Sequence, residues 1–299
     1  MANLRDLQKR INSVQATKQV TRTMEMVSSA KIGRSTRRML AGRPYAEAIN
    51  QMLHSLSAGG GAASSPLLSK HDEIKSAIII AVASDRGLAG GFNANVMRIC
   101  DQIKAKLEEN DVEVSFITCG KKANAWCTYR NYKVAKDYPG LSADPTMDEA
   151  RDIANICMSR YLDGTVDEVY LVYNHTRNAA DQDLIQEKVL PIEAEQVAEA
   201  AVEGTEDEET RAEMSFEFEP DAESVLSELM PGYFINVIYS ALVDSAAAEQ
   251  GARRKAMKAA TDNATDMIET LSRVYNRLRQ GEITTEMTEI IGGASAAEE

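Results

Sequence analysis

The sequence has few aromatic residues and no long apolar stretch. Phe, Trp and Tyr make up 5% of its 299 residues, with a single Trp. Because β-strands favour aromatic and β-branched side chains, this scarcity favours a helix-rich chain. The longest apolar run, Ala77–Ala83, has the length of a strand and falls far short of the roughly 20 residues that cross a bilayer. We therefore expect no transmembrane helix.

Cysteine and histidine are also scarce. The three histidines lie far apart, and the four cysteines form no C-x-x-C pair: Cys100, Cys119, Cys127 and Cys157. This spacing argues against a metal site and fits buried thiols in a reducing compartment. The N-terminal residues contain an acid and no apolar core, so we expect neither a secretory signal nor a transit peptide.

Charge divides the sequence into zones. Residues 1–57 hold ten Lys and Arg against three Asp and Glu, a net charge of +7. Residues 193–228 hold fourteen acidic residues and one basic residue, a net charge of −13. The whole chain also carries −13, which argues against nucleic-acid binding. The division favours separate surfaces for separate partners, although solvated helix faces with an acidic loop would give the same pattern.

The middle of the sequence alternates strand and helix patterns. A Gly- and Ser-rich segment, residues 58–66, precedes it as a flexible linker. We predict strands at 77–83, 112–119, 166–173 and 185–192, and helices at 93–109, 121–129 and 148–162. Such alternation indicates a Rossmann-like, doubly wound layer, which by itself defines no function.

Both ends of the sequence carry a repeat of about 3.5 residues, which is typical of a left-handed coiled coil. The N-terminal seam is Leu4, Leu7, Ile11, Val14, Lys18, Thr21, Met24 and Ser28. The C-terminal seam is Met257, Ala260, Ala264, Met267, Leu271, Val274 and Leu278. Small residues and Met allow two helices to approach closely.

The C-terminal helix is too long for this chain to cover. No proline occurs between residues 235 and 291, and at about 1.5 Å per residue such a helix reaches about 85 Å. We therefore expect partner proteins around it. Pro231-Gly232 is expected to kink or start the helix. Near its end one face is apolar, and it either docks on the chain's own core or enters another protein: Ile283, Met287, Ile290 and Ile291.

Several stretches along nearly the whole chain resemble gamma subunits of the rotary, F-type ATP synthase of bacteria. They are residues 11–27 with Ala30-Lys31, then 43–47, 84–93, 259–263, 275–280 and 283–294. The last, Ile-Thr-Thr-Glu-Met-Thr-Glu-Ile-Ile-Gly-Gly-Ala, is very specific in order and placement.

The resemblance implies an α/β fold class: a long antiparallel coiled coil of N- and C-terminal helices plus a central Rossmann-like α/β domain. The expected divisions are a coiled-coil helix at 1–57, a linker at 58–74, the α/β domain at 75–219 with an acidic loop at 193–213, a coiled-coil helix at 220–292 and a tail at 293–299.

The resemblance also implies a function, that of the central rotor shaft. Such a shaft couples ion-driven rotation of the proteolipid c-subunit ring to ATP synthesis or hydrolysis at catalytic beta subunits. The chain itself is then non-catalytic and binds no cofactor. Its implied partners are three alpha and three beta subunits, the epsilon subunit and the c ring. It is expected as a peripheral protein on the cytoplasmic face of the bacterial plasma membrane, touching the membrane only through the complex.

Contact residues carry over by motif position. Arg279 and Gln280 match a polar catch on a beta subunit, and Thr284 and Glu286 match positions linked with coupling. Met24 matches a residue near an acidic loop of beta, and Arg253 matches an Arg of the same network. The apolar face at Ile283, Met287, Ile290 and Ile291 becomes a bearing. Phe216 and Phe218 match no motif position; they are candidate foot contacts because they lie near the end of the acidic stretch 193–219, which departs from the family pattern where the foot should meet the epsilon subunit and the c ring. The alternative for each coiled-coil residue is that it only packs the helices.

Two rival interpretations stay open at this point. A Rossmann-like enzyme with a helical oligomerisation hairpin needs a cofactor fingerprint. The candidate, Gly87-Leu-Ala-Gly-Gly, is not G-x-G-x-x-G, no Walker motif occurs, and a tight turn explains it better. A cytoplasmic coiled-coil scaffold protein unrelated to ATP synthesis would explain the seams but not the set of motifs.

Overall fold

The computed structural model of the chain describes residues 4–58, 66–71, 73–178, 181–192 and 222–297. Their elements, in chain order, are α1 (Leu4–Ala58), β1 (Ser76–Val82), α2 (Phe92–Glu108), β2 (Glu113–Cys119), α3 (Lys121–Arg130), β3 (Val134–Tyr138), a 3₁₀ turn (Leu141–Ala143), α4 (Met147–Leu162), β4 (Glu168–Thr176), β5 (Gln182–Leu190) and α5 (Ala222–Ala297). The predicted acidic loop at 193–213, Phe216, Phe218 and most of the Gly- and Ser-rich linker lie outside the described residues.

The chain divides into two compact units. The helical unit comprises residues 1–28 and 254–299, and the α/β unit comprises residues 29–253. Both long helices therefore contribute to both units, whereas the predicted boundaries follow the helix ends. Helix α5 continues to Ala297, through most of the segment predicted as a tail. It also begins nine residues before Pro231, so Pro231-Gly232 does not start it.

The helical unit pairs the beginning of α1 with the later part of α5. Three residues of the predicted α1 seam are buried, Ile11, Thr21 and Ser28, at 5%, 8% and 2% exposure. On α5, Met257 and Ala264 are buried as predicted, but Met267 is 47% exposed and the neighbouring Ile268 is half-buried instead. Apolar residues stand at both 267 and 268, so periodicity alone could not choose between them.

The two long helices run antiparallel. In the helical unit, the Thr21 and Thr261 hydroxyl oxygens lie 2.7 Å apart. In the α/β unit, Ile49 shares a core cluster with Met230 and Phe234. Rising residue numbers in α1 thus meet falling numbers in α5, which confirms the predicted antiparallel coiled coil.

The α/β unit is built on a five-stranded sheet in the order β3-β2-β1-β4-β5. Strands β1 to β4 are parallel, and β5 runs antiparallel to β4. The apolar run of the sequence forms the central strand β1, whose Ile78, Ile79 and Ile80 have no exposed surface. Strand β3 is absent from the sequence prediction because this short edge strand is mostly half-buried or exposed and lacks an apolar run.

Helices cover both faces of this sheet. On one face, α2 and α3 bury Val96 and Ala123 against Ile79 and Phe116. On the other, α4 and the parts of α1 and α5 that belong to this unit pack over Ile78 and Ile80. The predicted doubly wound layer is therefore confirmed. Within the described ranges, no helix combines the length and the apolar composition needed to cross a membrane.

Candidate functional site

The end of α5 presents exposed side chains of two kinds. Its polar candidates are all exposed: Arg279, Gln280, Thr284 and Glu286. Its apolar candidates are 48%, 57%, 72% and 62% exposed, in the order Ile283, Met287, Ile290 and Ile291. Residues three and four apart share one face of a helix, so the apolar four form a row. A row of large exposed apolar side chains is typical of a surface that binds another protein.

The beginning of α1 offers a different surface. Met24 is half-buried at the seam, while Met26 and Val27 beside it are 58% and 51% exposed. Basic side chains of α1 are exposed over much of its length: Lys9, Arg10, Arg22, Lys31, Arg34 and Arg37. The helix therefore presents positive charge to its surroundings, which suits an acidic partner.

Arg253 differs from the other predicted contact residues because it faces inward. Its side chain is 9% exposed and pairs with Glu249, one helical turn earlier, at 2.6 Å. Its guanidinium also donates to the carbonyl oxygens of Arg86 at 3.3 Å and of Gly87 at 3.3 and 3.4 Å. This geometry gives Arg253 a place within the α/β unit and not on the exposed surface of Arg279 and Gln280.

The segment that receives Arg253 is Ser84–Asn93, which we call the docking loop. It follows β1 and turns through Leu88 and Gly90, which have φ of 65° and 60°. The Asn93 side chain closes the loop by accepting from the Ser84 amide at 2.9 Å. The loop packs Ala89 and Phe92 against Ala248 and Ala252 of α5. The loop points two carbonyl oxygens toward Arg253, which suits a cation. A phosphate-binding loop would instead present backbone N–H groups.

Asp85 organises the carboxyl ends of three neighbouring strands. Its carboxylate accepts from the amides of Gly140, Lys121 and Ser142 at 2.8, 3.0 and 3.2 Å, and from the Ser142 hydroxyl at 2.9 Å. Burial by itself would raise the pKa of Asp85, but these hydrogen bonds outweigh it and lower the pKa below its ordinary value.

This edge of an open α/β sheet is where ligands commonly bind. Here the chain's own groups occupy it, namely Asp85, Ser142 and the docking loop. Sequence reasoning missed Asp85, Ser142 and Glu249 as functional candidates. Only Asp85 carried a signal, because it lies inside the stretch 84–93 that resembles the gamma subunits.

A histidine–carboxylate pair in the α/β unit has a structural role. His175 Nδ1 lies 2.5 Å from Asp244 Oδ2, and the other oxygen of Asp244 accepts from the Thr176 amide at 2.9 Å. The pair therefore fastens the end of β4 to α5. Both residues line a cavity of about 550 Å³ together with Tyr173, Tyr233 and other side chains.

The potential metal-ligating and thiol side chains of the described residues lie apart or buried. In the part that the structure describes, no group of three or more His, Cys, Asp or Glu side chains is placed to hold a metal ion. All four cysteines are free and buried. Burial raises the pKa of Cys127 to about 12, so its thiol stays protonated near neutral pH.

Comparison with known proteins identifies the family. A family model described as ATP synthase matches residues 3–297. The ATP synthase gamma chain of Pelotomaculum thermopropionicum is 39% identical over 298 residues and is covered, like this chain, over 100% of its length. The gamma chain of Chlorobium phaeobacteroides is 37% identical over 300 residues, with 99% of each chain covered. The chain belongs to the ATP synthase gamma-chain family. This membership confirms the resemblance and supports neither the enzyme nor the unrelated scaffold.

Solved structures share the fold. A chain of the Euglena gracilis mitochondrial ATP synthase, in a structure of OSCP, F1 and c-ring in rotational state 3, matches with a TM-score of 0.65 at 18% identity, over 98% of this chain and 94% of that chain. A chain from the central stalk and c-ring structure of the Tetrahymena thermophila mitochondrial ATP synthase matches with a TM-score of 0.57 at 23% identity. The match covers 81% of this chain and 99% of that chain. These likenesses agree with the predicted combination of a helical coiled coil and an α/β domain.

Proposed function

We propose that this chain is the central rotor shaft of an ATP synthase. It couples ion-driven rotation of the proteolipid ring to ATP synthesis or hydrolysis at the catalytic beta subunits, and it performs no chemistry itself. The observation that carries the proposal is the gamma-chain match over essentially the full length, at 37–39% identity.

The proposed partners are three alpha and three beta subunits, an epsilon subunit and the proteolipid c ring. The relatives are named ATP synthase gamma chains, and the titles of the solved structures name F1 and the c-ring. The exposed apolar row near the end of α5 and the exposed basic side chains of α1 support contacts with other proteins. We place the complex at the bacterial plasma membrane, with this chain peripheral on the cytoplasmic face and in contact with the membrane only through its partners.

The mechanism follows from the asymmetry of two paired helices. Such a pair lacks threefold symmetry, so three identical beta subunits around it meet different side chains at any moment. Each orientation of the shaft therefore favours a different nucleotide affinity in each beta subunit, through unequal contact energy. Rotation moves each beta subunit through these states in turn.

The exposed residues of α5 fit this mechanism. Arg279 and Gln280 act as a polar catch on a beta subunit. Thr284 and Glu286 make neighbouring contacts, as does Met24 of α1. Charge-assisted hydrogen bonds of about 1.5–3 kcal/mol are strong enough to hold and weak enough to release. Ile283, Met287, Ile290 and Ile291 form the apolar bearing.

Arg253 differs from these contacts. Its side chain is occupied within the α/β unit, which argues against a direct contact with a beta subunit. The foot contacts through Phe216 and Phe218 stay a prediction from the sequence.

The test is reconstitution of ATP hydrolysis. Purified alpha and beta subunits are mixed with and without this chain, separated by size-exclusion chromatography and assayed for ATP turnover. We expect co-elution at one chain per three alpha and three beta subunits, with a changed turnover. Folded partners that neither co-elute with the chain nor change their turnover would refute the rotor-shaft function.

A further inference from the structure

Two oppositely charged residues of α5 are buried where the helix meets the docking loop. The side chains of Glu249 and Arg253 are 4% and 9% exposed, and they form an ion pair one helical turn apart. Buried charges pay a large desolvation penalty, so such a pair is weak evidence for stability alone. Its hydrogen bonds to the docking loop point instead to a role in positioning.

The docking loop supplies the matching polar surface. The carbonyl oxygens of Arg86 and Gly87 accept from the Arg253 guanidinium, and Glu249 Oε1 lies 2.6 Å from Nη2, the nitrogen that donates to both carbonyls. The second carboxylate oxygen, Oε2, is buried without a hydrogen bond. Burial raises the pKa of Glu249, and the ion pair with Arg253 and the nearby Ser142 hydroxyl oppose this shift. Arg253 is the charged partner of the Glu249 carboxylate.

Small apolar side chains complete the same contact. Ala89 and Phe92 of the loop are 2% and 4% exposed, and Ala248 and Ala252 of α5 are 0% and 9% exposed. Alanine lets the loop backbone come close to the helix but provides little surface that resists sliding. The directional hydrogen bonds of Arg253 add the resistance that these contacts lack.

The position of the pair along α5 also matters. Arg253 is the last residue of the α/β unit, and the following residues of α5 belong to the helical unit. The pair therefore holds the final turn of α5 that packs with the sheet-containing part of the chain.

We propose that Glu249 and Arg253, which we call the latch, form the joint that fixes α5 to the α/β unit and passes torque into the coiled coil. Glu249 is a positioning residue that orients the Arg253 guanidinium toward the loop carbonyls. The latch rests on the proposed rotor function. Its distinctive consequence is that Arg253 acts through the docking loop and not by touching a beta subunit.

The latch is tested in the complete ATP synthase, reconstituted in proteoliposomes. Ion-driven ATP synthesis and ATP hydrolysis are measured on the same preparation of wild type, Arg253→Ala and Glu249→Gln. We expect both variants to lose most of their synthesis while hydrolysis is largely retained, because the shaft slips against the α/β unit under load. Arg253→Lys keeps the charge but not the planar fork, and we expect it to lie between wild type and Arg253→Ala.

A cross-link distinguishes the latch from a direct partner contact. Ala89→Cys and Ala248→Cys are added to the Arg253→Ala variant, and the pair is oxidised to a disulfide that replaces the missing joint. We expect oxidation to restore synthesis and dithiothreitol to abolish it again. A disulfide that forms without restoring synthesis would overturn the proposal, and cysteines that never cross-link would contradict the packing on which it rests.

Two controls separate the latch from other failures. Glu108→Gln breaks another i,i+4 ion pair, Lys104–Glu108 on α2, and should leave synthesis and hydrolysis unchanged. An equal defect in this variant would count against the latch. A wild-type chain that does not assemble with alpha and beta subunits would instead refute the rotor function itself.

Discussion

At the scale of single residues, a pair of hydroxyl groups interrupts the apolar seam of the coiled coil. Thr21 and Thr261 are 8% and 9% exposed, and their hydroxyl oxygens lie 2.7 Å apart. Thr261 also lies 2.9 Å from the Met257 carbonyl oxygen, as a donor to it. A buried polar pair of this kind favours one register of two helices over others, at some cost in stability.

We expect Thr261→Val to destabilise the helical unit by about 1 kcal/mol, because it leaves the buried Thr21 hydroxyl without its cross-helix partner. In the single variant the Thr21 hydroxyl keeps only its bond to the Lys18 carbonyl oxygen, at 3.0 Å, and faces an apolar side chain across the seam. The double variant Thr21→Val/Thr261→Val should recover much of this loss, since no hydroxyl is then buried against an apolar partner. Urea unfolding of the purified chain, followed by ellipticity at about 222 nm, measures both. Additive losses in the double variant would contradict the coupling of the two hydroxyls.

Arg279 is an exposed residue of the proposed catch on a beta subunit. We expect Arg279→Ala to lower coupled ATP synthesis without blocking assembly, because the side chain is exposed and belongs to the proposed catch on a beta subunit. Synthesis by the reconstituted complex and co-elution of its subunits are measured together. Arg273→Ala, an exposed arginine on the same helix outside the resembling stretches, is the matched control. Wild-type synthesis in Arg279→Ala would refute the catch.

At the scale of elements, Asp85 determines how three strand ends are joined. It follows β1, while the amides that donate to it follow β2 and β3. Gly120, at the end of β2, is needed for this closeness: its φ is +96°, and a Cβ there would lie 2.2 Å from the Ala83 carbonyl oxygen. The docking loop thus depends on contacts between successive strands and not on its own sequence alone.

We expect Asp85→Asn to lower the stability of the α/β unit by about 1.5–3 kcal/mol at neutral pH, because charge-assisted hydrogen bonds are lost. The folded-state pKa is lowered, so the stabilisation is present above the unfolded pKa of about 3.9 and is lost as pH falls through the folded pKa. The difference between variant and wild type should therefore shrink in acid.

Fluorescence of Trp126, the single tryptophan, reports thermal unfolding of this unit across the pH range. Glu73→Gln, whose carboxylate is 74% exposed, is the control and should change little. A deficit for Asp85→Asn that stays constant into acid would show that ionisation of Asp85 is not its source.

At the scale of the whole molecule, substitutions at the exposed end of α5 should affect assembly with partner subunits without affecting folding of the chain. We expect Ile290→Ser/Ile291→Ser to leave the fold unchanged, because these side chains are 72% and 62% exposed. Binding to alpha and beta subunits should weaken by about 3 kcal/mol, or about a hundredfold, because the proposed bearing loses apolar area.

Titration of the chain into folded alpha and beta subunits measures this affinity, with circular dichroism as the check on folding. Ile74→Ser removes an isoleucine of the α/β unit that is 45% exposed, and it should leave the affinity unchanged. Equal weakening by both changes would mean that surface hydrophobicity in general, and not the end of α5, drives association.

The sequence by itself determined the family, the coiled coil and most of the sheet. These features depend on local order: the motif at residues 283–294, the repeat along each helix, and the apolar run that became β1. Each is visible in one stretch of the chain. The candidates Arg279 and Ile290 were likewise predicted from short local stretches, 275–280 and 283–294, and both are exposed in the structure.

The tertiary structure alone decided which distant residues form the buried polar contacts. Arg253 meets Gly87 across 166 positions of sequence, and Asp85 meets Ser142 across 57. Strand β3 is held in the sheet by pairing with β2 and not by an apolar pattern of its own. Local periodicity carries no information about such long-range hydrogen bonds, because the energy that selects them arises only when distant segments exclude water together.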